Sequence, residues 1–249
     1  MRNLTGLTIF FYIILFWLPR SIQAAEGLKL PQTRVIFHAG EKNTTAGIQN
    51  LSDKLYLVKA EVLNSPGLDE QEKNDVPFLV APPLFRLEPQ SQHTVRILSR
   101  GAINLPRDRE SVFYLSFLAI PSITPPGKAD ESAVTAQVSV GMQTLIKLFY
   151  RPAELSMTAR EAQDKLVFRT YQDTVVMENP TPYYLTLNTL SLKGQNIEPG
   201  KSGAMIAPFS KKTYHVNGKT EEAKYTVIND YGAVSKTYLQ SISVLKEMP

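Results

Sequence analysis

Between Val134 and Arg151 the sequence alternates with a period of two. Val134, Ala136, Val138, Val140, Met142, Ile146, Leu148 and Tyr150 form an almost wholly apolar row, while Thr135, Gln137, Ser139, Gln143, Lys147 and Arg151 make the intervening row mostly polar. Successive strand residues point to opposite faces, so the pattern predicts one long strand with one apolar face. At about 3.3 Å per residue it would extend on the order of 55 Å, about three times a usual strand. Half of it can pack in a core. The other half would overhang as an apolar edge open to pairing. The same pattern also fits two core strands joined by a turn near Gly141.

Shorter stretches rich in β-branched and aromatic residues recur along the chain: Thr33–Phe37, Leu55–Leu63, Thr94–Leu98, Ser111–Phe117, Lys165–Phe168, Thr174–Glu178, Tyr183–Leu192, Lys212–Val216, Lys224–Ile228 and Lys236–Val244. Turn-forming strings such as Asn64-Ser-Pro-Gly67, Ala81-Pro-Pro83, Glu198-Pro-Gly200 and Asn229-Asp-Tyr-Gly232 separate them. Many short strands between turns predict an all-β chain built of sandwiches. Helical periodicity is weak, and only Met157–Asp164 suggests a turn or two of helix. Two immunoglobulin-sized sandwiches fit, residues 25–151 and 152–249, joined near Arg151–Pro152. No internal repeat is evident beyond the shared strand rhythm.

The first residues follow another logic. Arg2 precedes the uncharged apolar run Leu4–Leu18, then Pro19-Arg20 and Ser21-Ile-Gln-Ala-Ala25. A charged start, a short apolar core and small residues at a cut predict a signal peptide, residues 1–24, cleaved near Ala24 or Ala25. The run is shorter than the roughly 20 residues of a spanning helix. The remaining chain is therefore expected to be exported and soluble.

Composition narrows the chemistry. The 249 residues carry 27 Lys+Arg against 23 Asp+Glu, with no cysteine and 3 histidines. The absence of cysteine excludes a disulfide scaffold, a thiolate metal site and a Cys nucleophile. Removing Arg2 and Arg20 lowers the formal charge from +4 to +2, too little for a nucleic-acid footprint. There is no Gly-x-Ser-x-Gly elbow, no His-Glu-x-x-His and no phosphate loop. Nothing in the composition or motifs points to catalysis, a cofactor, a metal or a small-molecule substrate, although scattered Asp and Glu leave a glycosidase carboxylate pair unsupported rather than excluded.

Seven strings, in order, carry a resemblance. They are Thr33-Arg-Val35, Ala81-Pro-Pro-Leu-Phe-Arg-Leu-Glu-Pro89, Leu105-Pro-Arg-Asp-Arg-Glu-Ser-Val-Phe-Tyr114 with Ala119-Ile-Pro121, Ile146-Lys-Leu-Phe-Tyr-Arg-Pro152, Glu178-Asn-Pro-Thr-Pro-Tyr-Tyr184, Met205-Ile-Ala-Pro-Phe209 and Ile228-Asn-Asp-Tyr-Gly232. Together the chain resembles the periplasmic pilus chaperones of the chaperone–usher pathway over nearly its whole length after residue 25.

That resemblance implies two immunoglobulin-like β-sandwich domains at an angle. It implies a periplasmic chaperone that lends a strand to pilus subunits (pilins and adhesin) and delivers them to an outer-membrane usher. The lent residues would be Val138, Val140 and Met142, with Val134 and Ala136 extending the row. Arg34 and Lys147 match the cations that hold the subunit's C-terminal carboxylate, and Glu110, Arg151 and Asp230 match an ion-pair set bridging the domains. Ser116 departs from the family pattern, which usually has Asn there. An exported structural or adhesive β-sandwich module is the alternative, and it gives Arg34 and Lys147 no special role.

Overall fold

The computed structural model describes residues 27–66, 76–101, 104–122, 140–198, 204–216, 218 and 220–244. The expected signal peptide lies outside the described residues. The described chain forms two β-sandwiches, with one short helix.

The first sandwich has two sheets. One runs in the order β1 (Leu28–Lys29), β3 (Asn43–Asn50), β7 (Gln92–Ser99), β5 (Phe78–Ala81). The other runs β2 (Arg34–His38), β9 (Met142–Arg151), β8 (Ser111–Pro121), β4 (Tyr56–Leu63), β6 (Leu84–Leu87). Alternation decides which face turns inward. Along β4, Tyr56, Val58, Ala60 and Val62 are buried, while Leu57 and Lys59 face out. With Phe37, Ile48, Val95, Ile97, Leu115, Phe117 and Leu148 they make one core. Each large aliphatic or aromatic side chain there contributes about 1.5–3 kcal/mol by leaving water.

The second sandwich begins after the helix α1 (Ala159–Ala162). Thr158 and Glu161 cap α1 reciprocally: the Thr158 hydroxyl accepts from the Glu161 N–H, and the Glu161 carboxylate accepts from the Thr158 N–H. Here β10 (Val167–Tyr171), β11 (Thr174–Glu178) and β15 (Lys211–His215) form one sheet. The other holds β12 (Leu185–Leu192), β13 (Gln195–Ile197), β14 (Met205–Ile206) and β16 (Glu222–Ile228). The strand β17 (Tyr238–Val244) belongs to both. Its first residues pair antiparallel with β16, and Ile242–Val244 pair parallel with β10. Phe168, Met177, Leu190, Tyr225 and Val227 fill the interior.

Three findings differ from the sequence reading. First, the long strand departs from expectation within its described part. β9 opens at Met142; Val140 and Gly141 are not in a strand, and residues 134–139 lie outside the described residues. β8 continues two residues past Ala119, the partner of Met142, so the ladder stops instead at Gly141, a residue type that weakens a strand. Second, β3 was not anticipated. Its string Asn43-Thr-Thr-Ala-Gly-Ile-Gln-Asn50 is mostly polar, yet Ala46, Gly47, Ile48 and Asn50 are buried.

Third, the sandwiches share a device that strand rhythm concealed. In the first, the Asn50 amide donates to the carbonyls of Lys54 and Glu88, and its oxygen accepts from the N–H and hydroxyl of Ser52. In the second, the Asn179 amide donates to the carbonyls of Tyr183 and Ala207, and its oxygen accepts from the N–H and hydroxyl of Thr181. Both asparagines are fully buried at the end of a strand. Each satisfies loop backbone that would otherwise be stranded in the core.

Candidate functional site: a cationic cleft beside an open strand edge

The site is built where β2 meets β9. These strands pair in parallel from Arg34 opposite Lys147 to His38 opposite Arg151. β2 does not extend before Arg34, so Met142–Ile146 of β9 pair with β8 on one side and, among the described residues, with nothing on the other. An open strand edge thus begins where the two cations stand.

The two faces of β9 differ sharply. The even row runs from Leu148, fully buried, and Ile146, 6% exposed, to Met142, 48% exposed, and Val140, 75% exposed. Its apolar side chains leave the core as the strand passes the end of the sandwich. The odd row faces the second sandwich: Phe149 is buried and its ring lies 5.7 Å from that of Tyr184. Lys147 stands on this face beside Tyr114, its partner on β8.

Arg34 is buried. One of its nitrogens, Nη1, donates to the Ile228 carbonyl of the second sandwich at 3.0 Å. Its Nε–H is buried without a partner among the described residues, and its guanidinium lies 6.0 Å from the Phe149 ring centre. Burial lowers its pKa, and Asp230 and Glu110 partly offset that from a distance. Burial also lowers the pKa of Lys147, and the neighbouring Arg34 and Lys212 lower it further. Arg34 and Lys147 have no ion pair with a described residue. Two desolvated cations with unused donor capacity make a site for an anion, and a carboxylate matches the fork of Arg and the point charge of Lys.

Arg151, at the end of β9, does have carboxylates. Its Nε donates to Glu110 Oε1 at 2.8 Å, and Nη1 and Nη2 donate to the two oxygens of Asp230 at 2.7 and 2.9 Å. Glu110 Oε2 accepts from the Tyr184 N–H at 2.9 Å, and the Arg151 guanidinium covers the Tyr183 ring at 5.0 Å. Burial pushes the Glu110 carboxyl up, against the pull of Arg151, while the two carboxylates hold Arg151 well above its usual value. Glu110 and Arg151 come from the first sandwich and Asp230 from the second, so the set ties the two together beside Arg34.

The structure therefore brings together Arg34, Lys147, Glu110, Arg151 and Asp230, with Met142 and Val140 on the adjoining edge. Val134, Ala136 and Val138 lie outside the described residues. Ser116 is fully buried, and its hydroxyl accepts from Gln143 Nε2 at 2.9 Å, linking β8 to the open part of β9. Sequence reasoning missed the Ile228 carbonyl and the Tyr184 N–H, because backbone groups leave no side-chain signature.

Comparison with known proteins agrees with this architecture. Residues 27–156 match the family described as pili and flagellar-assembly chaperone, PapD N-terminal domain. Residues 161–239 match the pili assembly chaperone PapD C-terminal domain. The chaperone protein HifB of Haemophilus influenzae is 35% identical over 229 residues, 91% of this chain and 93% of that protein. The chaperone protein FimC of Escherichia coli K12 is 34% identical over 216 residues, covering 86% and 83%. Among solved structures, a chain of the Salmonella enterica complex of SafA pilin with the SafB chaperone superposes with a TM-score of 0.71 at 29% identity, covering 87% of this chain and 96% of that one. The Pseudomonas aeruginosa CupB2 chaperone superposes at 0.69 with 30% identity, covering 86% and 100%. Both sandwiches, in order and nearly end to end, match one family, and the chain belongs to the pilus assembly chaperones.

Proposed function

We propose that this chaperone holds a pilus subunit in the periplasm by adding its own strand to the subunit's open sandwich, with Arg34 and Lys147 gripping the subunit's C-terminal carboxylate. The observation that carries the reading is the pair of desolvated cations without a carboxylate at the point where the open edge of β9 begins. A strand that lies along Met142–Ile146 and ends with its carboxylate at Lys147 must run in the same direction as β9. Main-chain hydrogen bonds then supply pairing, and the apolar row of Met142, Val140, Val138, Ala136 and Val134 fills the subunit's groove. Strand lending between chaperone and pilin is a known mode of strand addition.

The carboxylate grip sets the register. A slip of one residue would turn every alternate side chain to the wrong face, and a charge held at a fixed point prevents it. Several side chains of this size, each worth about 1.5–3 kcal/mol when buried, offset the ordering cost of association. Glu110, Arg151 and Asp230 act on the angle between the sandwiches and hence on the width of the cleft. Residues 1–24 serve as the export signal, and an outer-membrane usher receives the loaded complex.

The test is co-purification from the periplasm with a pilus subunit encoded beside it. Wild type should retain the subunit, while folded Arg34→Ala, Lys147→Ala and Val138→Asp/Val140→Asp proteins lose it. Retention by all three folded variants would refute the site.

A further inference from the structure

The turn Asn229–Gly232 is fixed from within and from outside. Within the turn, the Asn229 side-chain oxygen accepts from the N–H groups of Tyr231 and Ala233, both at 3.0 Å. The Gly232 N–H donates to the Asn229 carbonyl at 3.0 Å, and the Asn229 N–H to the Ala233 carbonyl at 2.9 Å.

From outside, the first sandwich holds three points of this segment. Arg34 holds the Ile228 carbonyl. Arg151 holds both oxygens of Asp230. Gly232, at φ +80°, lies so close to Thr33 that a Cβ would stand 2.6 Å from the Thr33 hydroxyl. The residue left between the last two points is Tyr231, 94% exposed.

An aromatic side chain that contributes nothing to either core is thus displayed on a rigid turn, one residue from Asp230 and one from the glycine that touches the neighbour of Arg34. A tyrosine so held presents a large amphipathic surface and has only two side-chain torsions to freeze on contact. Tyrosines of this kind dominate binding energy at interfaces. The occupant follows from position: Gly232, next to Tyr231, touches Thr33, and Thr33 lines, with Thr144, Leu145 and Ile146, the groove beside the open edge of β9.

We propose that Tyr231 is a contact residue for the bound subunit, packing against an apolar or aromatic side chain near the C-terminal carboxylate. This assignment rests on the carboxylate site formed by Arg34 and Lys147. Tyr231 adds a reading of side-chain identity to a grip that senses only charge.

The two ideas separate in one experiment. The probe is a synthetic peptide of the C-terminal strand of the subunit encoded beside the chaperone, prepared as free acid and as amide. Binding to the full exported chain is measured for wild type, Tyr231→Ala, Tyr231→Phe and Arg34→Ala. The acid should bind wild type more tightly than the amide, and Arg34→Ala should erase that difference. Tyr231→Ala should weaken acid and amide alike by about tenfold, the scale of a single interface anchor. Tyr231→Phe should match wild type, and neither Tyr231 substitution should lower the melting temperature. If Tyr231→Ala binds like wild type while Arg34→Ala still erases the acid–amide difference, the role of Tyr231 is overturned and the carboxylate site stands. If acid and amide bind wild type equally, the carboxylate site falls and the role of Tyr231 falls with it.

Discussion

Arg34 and Lys147 are direct partners across the parallel β2–β9 ladder, so two cations far apart in sequence stand side by side on one face of one sheet. Burial lowers the proton affinity of both, and each lacks an ion-pair partner among the described residues. In the free protein this arrangement is unfavourable, and a carboxylate placed against both cations would relieve it.

A pH dependence follows for Lys147. Burial first, then Arg34 and Lys212, depresses its free-state pKa below the usual lysine value, whereas a bound carboxylate raises it. Between the two values the complex holds more protons than the free protein. Affinity for a carboxylate-ended peptide is therefore full below the free-state value and declines as pH rises through it. Free-chaperone stability has the opposite slope over its window, rising as pH climbs through the depressed folded value toward the unfolded one. Titration calorimetry from neutral pH to about pH 11 checks the decline, and Lys147→Arg, which stays charged, should flatten it.

Breaking the Arg151 set should cost far more than a surface pair. The side chains of Arg151 and Glu110 are 12% and 2% exposed, and truncating one partner strands the other. Arg151→Ala is expected to destabilise by about 3–5 kcal/mol in urea unfolding. Adding Glu110→Gln to Arg151→Ala should recover part of the loss, because the neutral amide can still accept from the Tyr184 N–H.

Position along one strand should separate folding from binding. Val140→Asp and Met142→Asp alter exposed side chains and should change stability by no more than about 0.5 kcal/mol, yet both should abolish subunit capture. Leu148→Ala, on the same row but fully buried, should cost about 2–5 kcal/mol. Thermal unfolding and co-purification of the same three proteins test the contrast.

The buried asparagines make a purely structural prediction. Asn179→Ala strands the Thr181 N–H and removes one of two donors from the carbonyls of Tyr183 and Ala207, which keep the hydroxyls of Thr181 and Ser210. The expected loss is about 1–3 kcal/mol, read by denaturant unfolding. Asn50→Ala should behave alike in the first sandwich.

Much of this protein was legible in one dimension. Strands β4, β8, β11 and β16 lie close to the expected segments: β8 and β11 are apolar runs with buried residues on both faces, while β4 and β16 put every second side chain into a core. The alternation that marks β9 has the same origin. The string Ile146-Lys-Leu-Phe-Tyr-Arg-Pro152 already placed Lys147 and Arg151 on the face opposite Leu148. The weak helical signal at Met157–Asp164 became the single turn of α1, held by Thr158 and Glu161.

Other features had no such signature. β3 is polar by composition and is a strand because β7 and β1 pair with it. The shared asparagine corners rest on a three-residue string too short to register as a repeat. That Arg34 lies against Lys147, that it spends a donor on the Ile228 carbonyl, and that Asp230 reaches Arg151 are consequences of chain packing. Side-chain pattern determines which face of an element seeks the interior, because burial is a property of each residue. Which elements then meet, and which cation is left without an anion, only the tertiary structure decides, because hydrogen bonds and charges are satisfied by partners that sequence distance does not reveal.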